Sequence, residues 1–268
     1  MTDRTELRRV ITPALVALLA VGCGGGDGGG AAAIENPVDA ATAGSIAGSV
    51  VFEGDAPSMD AIDMSAEQVC ADKHSSTPMA DEVSVSGGML ANVFVYVKEG
   101  LEGLQFPTPS PVLLDQDGCM YIPHVLGVMV DQDITIRNSD GLLHNINASP
   151  TEQRGFNTSQ PMNMESTRSF RTAEVMVPVR CDVHGWMNAY IGVLDHPYHS
   201  VSGSDGSFDL STLPPGDYVI EAWHERYGTQ TQNVTVSTGE TAEVTFTLSA
   251  SMAGAVMPLG EAVDLHDH

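Results

Sequence analysis

A cysteine, a histidine and a methionine that could share a metal ion lie within seven residues, at Cys181, His184 and Met187. Two residues separate each from the next, and the segment directly follows a strand-like run at residues 174–180. Soft sulfur ligands combined with imidazole suit copper, and two histidines, one cysteine and a weakly bound methionine form electron-transfer copper centres. A second histidine is therefore required elsewhere in the chain.

His144 is the candidate for that histidine. It follows the strand-like residues 134–137 and a short polar loop, and the interval before Cys181 leaves room for two or three strands. Taken alone, a Cys-x-x-His pair is often structural, a single histidine is usually a surface or core residue, and a methionine often fills core space. In combination they predict a copper site. Zinc could occupy the cysteine and histidines in vitro, but a thioether is a poor zinc ligand.

Two stretches that contain these residues resemble the cupredoxins, the family of plastocyanin, pseudoazurin and amicyanin. The first stretch is residues 121–146, with Tyr121-Ile122-Pro123 at its start and His144-Asn145-Ile146 at its end. The second runs from Cys181 to Val193, and its ligand spacing looks most like the short loop of amicyanin. Val183 stands where relatives often have proline, and Trp186 is unusual at its position.

The resemblance implies one type 1 copper ion with a defined ligand set. His144, Cys181 and His184 would be equatorial ligands, and Met187 would be the weak axial ligand. Asn145 would hold the cysteine-bearing loop through hydrogen bonds outside the ligand shell. His184 would be the exposed ligand through which electrons pass.

Residues 1–22 have the pattern of a signal peptide: three early arginines, then an apolar run too short to span a membrane. The run closes with Leu19-Ala20-Val21-Gly22-Cys23, which resembles a bacterial lipoprotein cleavage site with Cys23 as the acylated residue. Ordinary secretion with a free Cys23 is the alternative. Either arrangement places the mature chain outside the cytoplasm, on the periplasmic or cell-surface side, after a Gly/Ala-rich tether at residues 23–44.

The remaining cysteines, Cys70 and Cys119, are predicted to form a disulfide, since an extracytoplasmic location lets disulfides persist. Sequence alone leaves the connectivity open. A disulfide between Cys119 and Cys181 would abolish the copper site and is the alternative to exclude.

Many short strand-like runs and no long helical periodicity predict an all-β fold. Residues 112–195 are expected to form a Greek-key cupredoxin sandwich. Residues 45–111 and 196–249 resemble a carboxypeptidase regulatory-like domain, an immunoglobulin- or prealbumin-like β-sandwich, through turns such as Asp205-Gly206-Ser207-Phe208. We expect the cupredoxin to be inserted into this second sandwich; a sequential arrangement is the alternative. Residues 250–268 are expected to be a disordered acidic tail.

Charge and histidine content restrict the function further. Eleven Lys and Arg against 35 Asp and Glu give a net charge of −24. This charge argues against nucleic acid and anionic membrane surfaces as partners, so we expect no nucleic acid and membrane contact only through a lipid anchor. The acidity serves solubility, and it would also suit a basic redox partner such as a cytochrome c or a dehydrogenase.

The other histidines show no spacing that predicts the second copper site of an enzyme such as a nitrite reductase, so an electron carrier is favoured. Copper storage or delivery, and a cell-surface binding module with an accessory copper site, are the alternatives.

Overall fold

The computed structural model describes residues 34–253. The predicted signal peptide, Cys23 and residues 24–33 of the predicted tether lie outside this range, as do residues 254–268 of the predicted tail. Those predictions stay predictions. Within residues 34–253, no helix is both long and apolar enough to cross a membrane.

The described residues are mostly β-strands, which confirms the all-β prediction. The elements in chain order are β1 (Gly44–Glu53), α1 (Gln68–Ala71), β2 (Val85–Ser86), β3 (Met89–Leu90), β4 (Phe94–Glu99), β5 (Val112–Asp117), β6 (Met120–Ile122), β7 (Val125–Met129), β8 (Ile134–Asn138), β9 (His144–Ala148), β10 (Phe156–Gln160), β11 (Glu165–Arg168), β12 (Glu174–Arg180), β13 (Asn188–Leu194), β14 (His199–Val201), β15 (Ser207–Leu213), β16 (Gly216–His224), β17 (Gly228–Val236), β18 (Thr241–Ser249) and a 3-10 turn (Ala250–Met252).

One pair of sheets contains the cupredoxin-like residues, and we call it the ligand sandwich. Its sheets have the strand orders β10-β9-β12-β13-β7 and β11-β8-β5-β6. Apolar residues at alternate positions point to one face of a strand, as Ile134 and Ile136 do in β8. They pack with Ile146, Val177 and Val179 in one buried core, so the fold places the start of β9 and the end of β12 in the same sandwich.

The other pair of sheets forms the flanking sandwich. One sheet has the order β15-β1-β3-β2, with β18 also paired to β1, and the other has the order β14-β4-β16-β17. The buried side chains of Ile46, Val50, Val95, Ile220 and Phe246 belong to its core. The flanking sandwich thus has a hydrophobic core of its own, built from residues on both sides of the ligand sandwich in sequence.

Strands β1 and β18 pair in parallel although almost the whole described chain separates them. Val50 is opposite Phe246, and Phe52 is opposite Leu248. The inserted arrangement requires this contact, because it makes the first and last strands members of one sheet. The domain boundaries themselves remain a prediction.

Two glycines in neighbouring strands let the sandwiches approach each other. Gly127 of β7 is in register with Gly192 of β13. A Cβ at Gly192 would lie 2.5 Å from the ring of Phe94, and one at Gly127 would lie 2.2 Å from Nδ1 of His199. The rings of Phe94 and His199 stack at 5.6 Å. The absent side chains therefore leave the space that these two rings fill.

Residues 60–80 follow the first strand of the flanking sandwich but pack on the ligand sandwich; we call them the cover segment. Their ends are joined by the hydrogen bonds Ile62 N–H to Pro78 O and Ala80 N–H to Asp60 O, both 2.9 Å. Ile62, Met64 and Cys70 are buried in the core of the ligand sandwich. Helix α1 lies within this segment.

Candidate metal centre

The loop from Cys181 to Met187 connects β12 to β13 and folds back on itself. The Cys181 N–H donates to the Met187 carbonyl at 3.0 Å, and the Met187 N–H donates to the His184 carbonyl at 3.0 Å. These bonds bring the two ends of the loop together. Cys181 and Met187 are both buried in the core of the ligand sandwich.

Three of the four predicted ligands converge in the structure. His144 begins β9, and its Nδ1 lies 3.0 Å from Nδ1 of His184. The Cys181 Sγ lies 3.8 Å from the same Nδ1 of His184. One donor atom from each of the three residues can be chosen so that all lie within 4.8 Å of one another. Met187 belongs to the same loop, with a fully buried side chain.

This donor set fits a copper ion. With metal–nitrogen bonds of about 2.0 Å, two nitrogens 3.0 Å apart subtend roughly 95–100° at a shared metal. A thiolate and two imidazoles, with a thioether in the same loop, suit copper better than hard cations such as magnesium or calcium.

The electrostatics of the site favour deprotonated cysteine and neutral His184. Burial raises the pKa of the Cys181 thiol, but hydrogen bonds from His144 and from nearby backbone N–H groups outweigh burial and lower this pKa overall. Burial lowers the pKa of His184, and the neighbouring His144 lowers it further. Metal binding requires both of these forms.

His144 is held differently from His184. Burial lowers the pKa of His144, but hydrogen bonds to Asp140 and Cys181, together with the negative charges of both groups, outweigh burial and raise this pKa overall. The Nε2 of His144 lies 2.7 Å from a carboxylate oxygen of Asp140. The imidazolium form of His144 can donate to Asp140 from Nε2 and to the Cys181 thiolate from Nδ1. In the neutral form with its proton on Nε2, His144 presents the lone pair of Nδ1 to the other donors.

Asn145 lies where the resemblance requires it, next to the cysteine-bearing loop. Its side-chain oxygen accepts a hydrogen bond of 2.6 Å from the backbone N–H of Asp182. Its side-chain nitrogen donates to Asn157, and its carbonyl accepts the Tyr121 hydroxyl. The strand that carries His144 is therefore tied directly to the residue after Cys181.

The Cys70–Cys119 disulfide is present, and Cys181 is a free, buried cysteine. The alternative pairing of Cys119 with Cys181 is therefore not adopted. The disulfide joins α1 to the β5–β6 turn, and the Sγ of Cys70 lies 4.0 Å from Nε2 of His184.

The expectation that His184 is exposed is wrong, because only 3% of its surface is accessible. Cys70 lies against one ring nitrogen, and the half-buried ring of Trp186 lies 5.1 Å from the imidazole, centroid to centroid. The Trp186 Nε1–H donates to the Cys119 carbonyl at 3.0 Å, which fixes the indole beside the disulfide. The cover segment and Trp186 together shield His184.

The other histidines within residues 34–253 join no cluster of three metal-capable side chains. His124 lies between Glu225, at 2.5 Å, and Asp81, at 3.5 Å, through opposite ring nitrogens. His224 stacks on Tyr227 at 4.8 Å. These rings contribute ion pairing and packing. His266 and His268 lie outside the described residues.

Asp140 and Lys73, which contact each other beside His144, were not among the predicted site residues. Asp140 precedes His144 by four residues, in the loop after β8, and that proximity was an available signal. Lys73 follows Cys70 by three residues, and nothing in its local sequence marks it.

Comparisons with known proteins find both of the resemblances noted in the sequence. Residues 187–249 match the family model of the carboxypeptidase regulatory-like domain. No significant match was found among curated proteins.

Solved structures similar to the chain include a purple cupredoxin from Nitrosopumilus maritimus, 18% identical, with a TM-score of 0.27. This match covers 32% of the present chain and 99% of the other. A Cu(I) amicyanin variant is 14% identical over 37% of this chain and 97% of its own, with a TM-score of 0.29.

A copper-containing nitrite reductase from Thermus scotoductus is 20% identical, with a TM-score of 0.31. The match covers 35% of the present chain but only 24% of the reductase. The chain is thus similar to cupredoxins in part of its length and to the carboxypeptidase regulatory-like domain in residues 187–249.

Proposed function

We propose that the chain binds one copper ion as a type 1 centre and carries single electrons between redox partners. His144, Cys181, His184 and Met187 are the proposed ligands. The observation that carries the proposal is the convergence of two imidazole nitrogens and one thiol sulfur from distant segments, within 4.8 Å of each other. Their combination suits copper that changes oxidation state.

Copper, when bound, supplies a one-electron redox couple. The chain holds the donors in nearly fixed positions: His144 lies at the start of a paired strand, and backbone hydrogen bonds close the loop between Cys181 and Met187. Rigid donors limit rearrangement when the charge of the site changes. The hydrogen bonds around the thiolate and imidazoles tune the affinity of the site for each oxidation state of copper.

The location that we propose is outside the cytoplasm, with attachment to a membrane through a lipid on Cys23. The Cys70–Cys119 disulfide supports an oxidising compartment, because disulfides are rare in reducing ones. The proposed partner is a basic redox protein, such as a cytochrome c or a dehydrogenase, attracted by the net charge of −24.

We favour a carrier over an enzyme, because a reductase would need a second copper site with additional histidines. Copper delivery is the second candidate. A delivery protein must present its metal to an acceptor, whereas Cys181 and His184 are each only 3% exposed. Burial favours retention of the metal. Repeated reduction and reoxidation in the presence of a Cu(I) chelator separates the two, since a carrier keeps its copper and a delivery protein loses it.

Copper reconstitution of the purified chain tests the leading proposal. We expect Cu(II) to produce an intense thiolate-to-copper band in the visible spectrum, and Cys181→Ser to abolish the band. Met187→Leu should shift the reduction potential, because the axial ligand tunes it. Met162→Leu is the matched control, since Met162 is exposed. A colourless copper-loaded protein, with equal copper binding by His144→Ala, would contradict the proposal.

A further inference from the structure

Asp140 is a completely buried carboxylate that contacts a proposed ligand. One oxygen lies 2.7 Å from Nε2 of His144 and accepts the Cys119 backbone N–H at 2.8 Å. The other oxygen accepts the Gly118 backbone N–H at 2.9 Å and pairs with the Lys73 ammonium. Four donors thus converge on one buried group.

A buried charge is costly unless it is paired and hydrogen-bonded. The donors on Asp140 come from three segments: Lys73 from the cover segment, the backbone of Gly118 and Cys119 from the β5–β6 turn, and His144 from β9. The backbone of Asp140 is also fixed, because its N–H donates to the side chain of Asn138 at 2.9 Å. The carboxylate has no freedom to turn away from His144.

We infer that Asp140 is the positioning residue of the metal centre and that Lys73 sets the charge that Asp140 presents to it. The part of this inference that concerns copper rests on the proposed function. Asp140 holds the Nε2–H of His144, so the lone pair of Nδ1 faces Nδ1 of His184 and the Cys181 sulfur. Its negative charge strengthens the imidazole as a donor and favours Cu(II) over Cu(I). Lys73 opposes that effect.

The orientation can be tested without copper. In the copper-free protein, at a pH above the midpoint of the His144 titration followed in the same spectra, nitrogen-15 NMR distinguishes the two tautomers of the neutral His144 imidazole. We expect the Nε2–H tautomer in the parent and a mixture in Asp140→Asn, whose amide can accept or donate. An Nδ1–H tautomer in the parent, or no change in the variant, would overturn the inference whatever the outcome with copper.

The charge effect is tested in the copper-loaded protein through two variants of opposite sign. Asp140→Asn removes a negative charge and should lower the Cu(II)-to-Cu(I) affinity ratio about tenfold, raising the potential by about 59 mV. Lys73→Met removes a positive charge and should lower the potential. Asp115→Asn is the matched control, because Asp115 pairs with Arg137 and contacts no proposed ligand.

The pattern of outcomes separates the two proposals. Shifts of the same sign in Asp140→Asn and Lys73→Met, or no shift in either, would overturn the charge role while a coloured parent protein upheld the proposed function. A colourless parent protein would end the proposed function, and the tautomer measurement would still decide whether Asp140 orients His144.

Discussion

Asn145 shows how one side chain can join two ligand-bearing segments. Its oxygen accepts the Asp182 N–H, directly after Cys181, while the residue itself directly follows His144. A β-sandwich brings such distant segments together at one end, but it does not fix the distance between their side chains. The hydrogen bond supplies that constraint.

Asn145→Ala should therefore destabilise the copper-free protein. The substitution removes the acceptor of a part-buried hydrogen bond, and we expect the free energy of unfolding in urea to fall by about 1–2 kcal/mol. Asn147→Ala is the matched control, because its half-buried side chain also bonds Asp182, at 3.0 and 3.2 Å, through hydrogen bonds that are exposed to solvent. It should cost less than about 0.5 kcal/mol. Equal losses in the two variants would contradict the role of Asn145.

The sequence predicts four ligand candidates, because the loop spacing is local and the residue types are chemically distinctive. The structure brings the donor atoms of three of them together. Asp140 and Lys73 could not be predicted as a pair. Their contact depends on the path of the cover segment between β1 and β2. Hydrophobic periodicity does not report such a path.

At the scale of elements, the cover segment is the least regular part of the site and the most constrained covalently. Its only helix within the described residues has four residues, too few to be stable alone. The Cys70–Cys119 disulfide and the Lys73–Asp140 ion pair hold α1 and the residues that follow it against the ligand sandwich.

Removing the disulfide should loosen the cover segment and expose the site. In a Cys23→Ser background, where Cys181 is the only remaining free thiol, we compare the parent with Cys70→Ala/Cys119→Ala. A crosslink across a sequence separation of 49 contributes about 4 kcal/mol by loop entropy. The variant should lose much of this, and its Cys181 should react faster with a thiol reagent in the copper-free state. An unchanged reaction rate would show that the cover segment does not depend on the disulfide.

Strands were predictable in proportion to their burial. From the sequence, strand-like runs are expected at residues 144–148, 167–171 and 174–180. Strands β9 and β12 match the first and the last of these runs. Strand β11 instead begins at Glu165 and ends at Arg168, and no run is expected at β10. Both are edge strands with mostly polar residues, so they lack the apolar alternation that identifies a strand.

At the scale of the whole molecule, the junction between the sandwiches contains a histidine that resists protonation. Burial, followed by the effect of His196, lowers the pKa of His199 from 6.5 to about 4. Its ring occupies the space above Gly127 and stacks on Phe94. A charge on this ring would be partly buried at the contact that joins the two cores.

The stability of the copper-free protein should therefore fall on acidification. Between about pH 6.5 and 4 the unfolded chain binds a proton at His199 and the folded chain does not, so stability rises with pH in this range. The contribution is full above pH 6.5 and is lost, on the order of 3 kcal/mol, as pH falls to 4. His199→Phe keeps an aromatic ring without titration. The difference in free energy of unfolding between the parent and His199→Phe should change with pH in this window and stay constant above pH 7. A difference that is constant at every pH would contradict the assignment.

Because His184 is shielded, the surface that a partner would contact and the side chains that would bind copper are different parts of the protein. An exposed ligand would serve both purposes. A partner that approaches this end of the protein meets the outer surface of the cover segment, including the exposed Val69, before it meets any ligand loop. Under the proposed function, substitutions on this outer surface would change which partner docks, whereas substitutions beneath it would change how tightly copper is held in each oxidation state. Recognition and redox chemistry can then diverge independently in related chains.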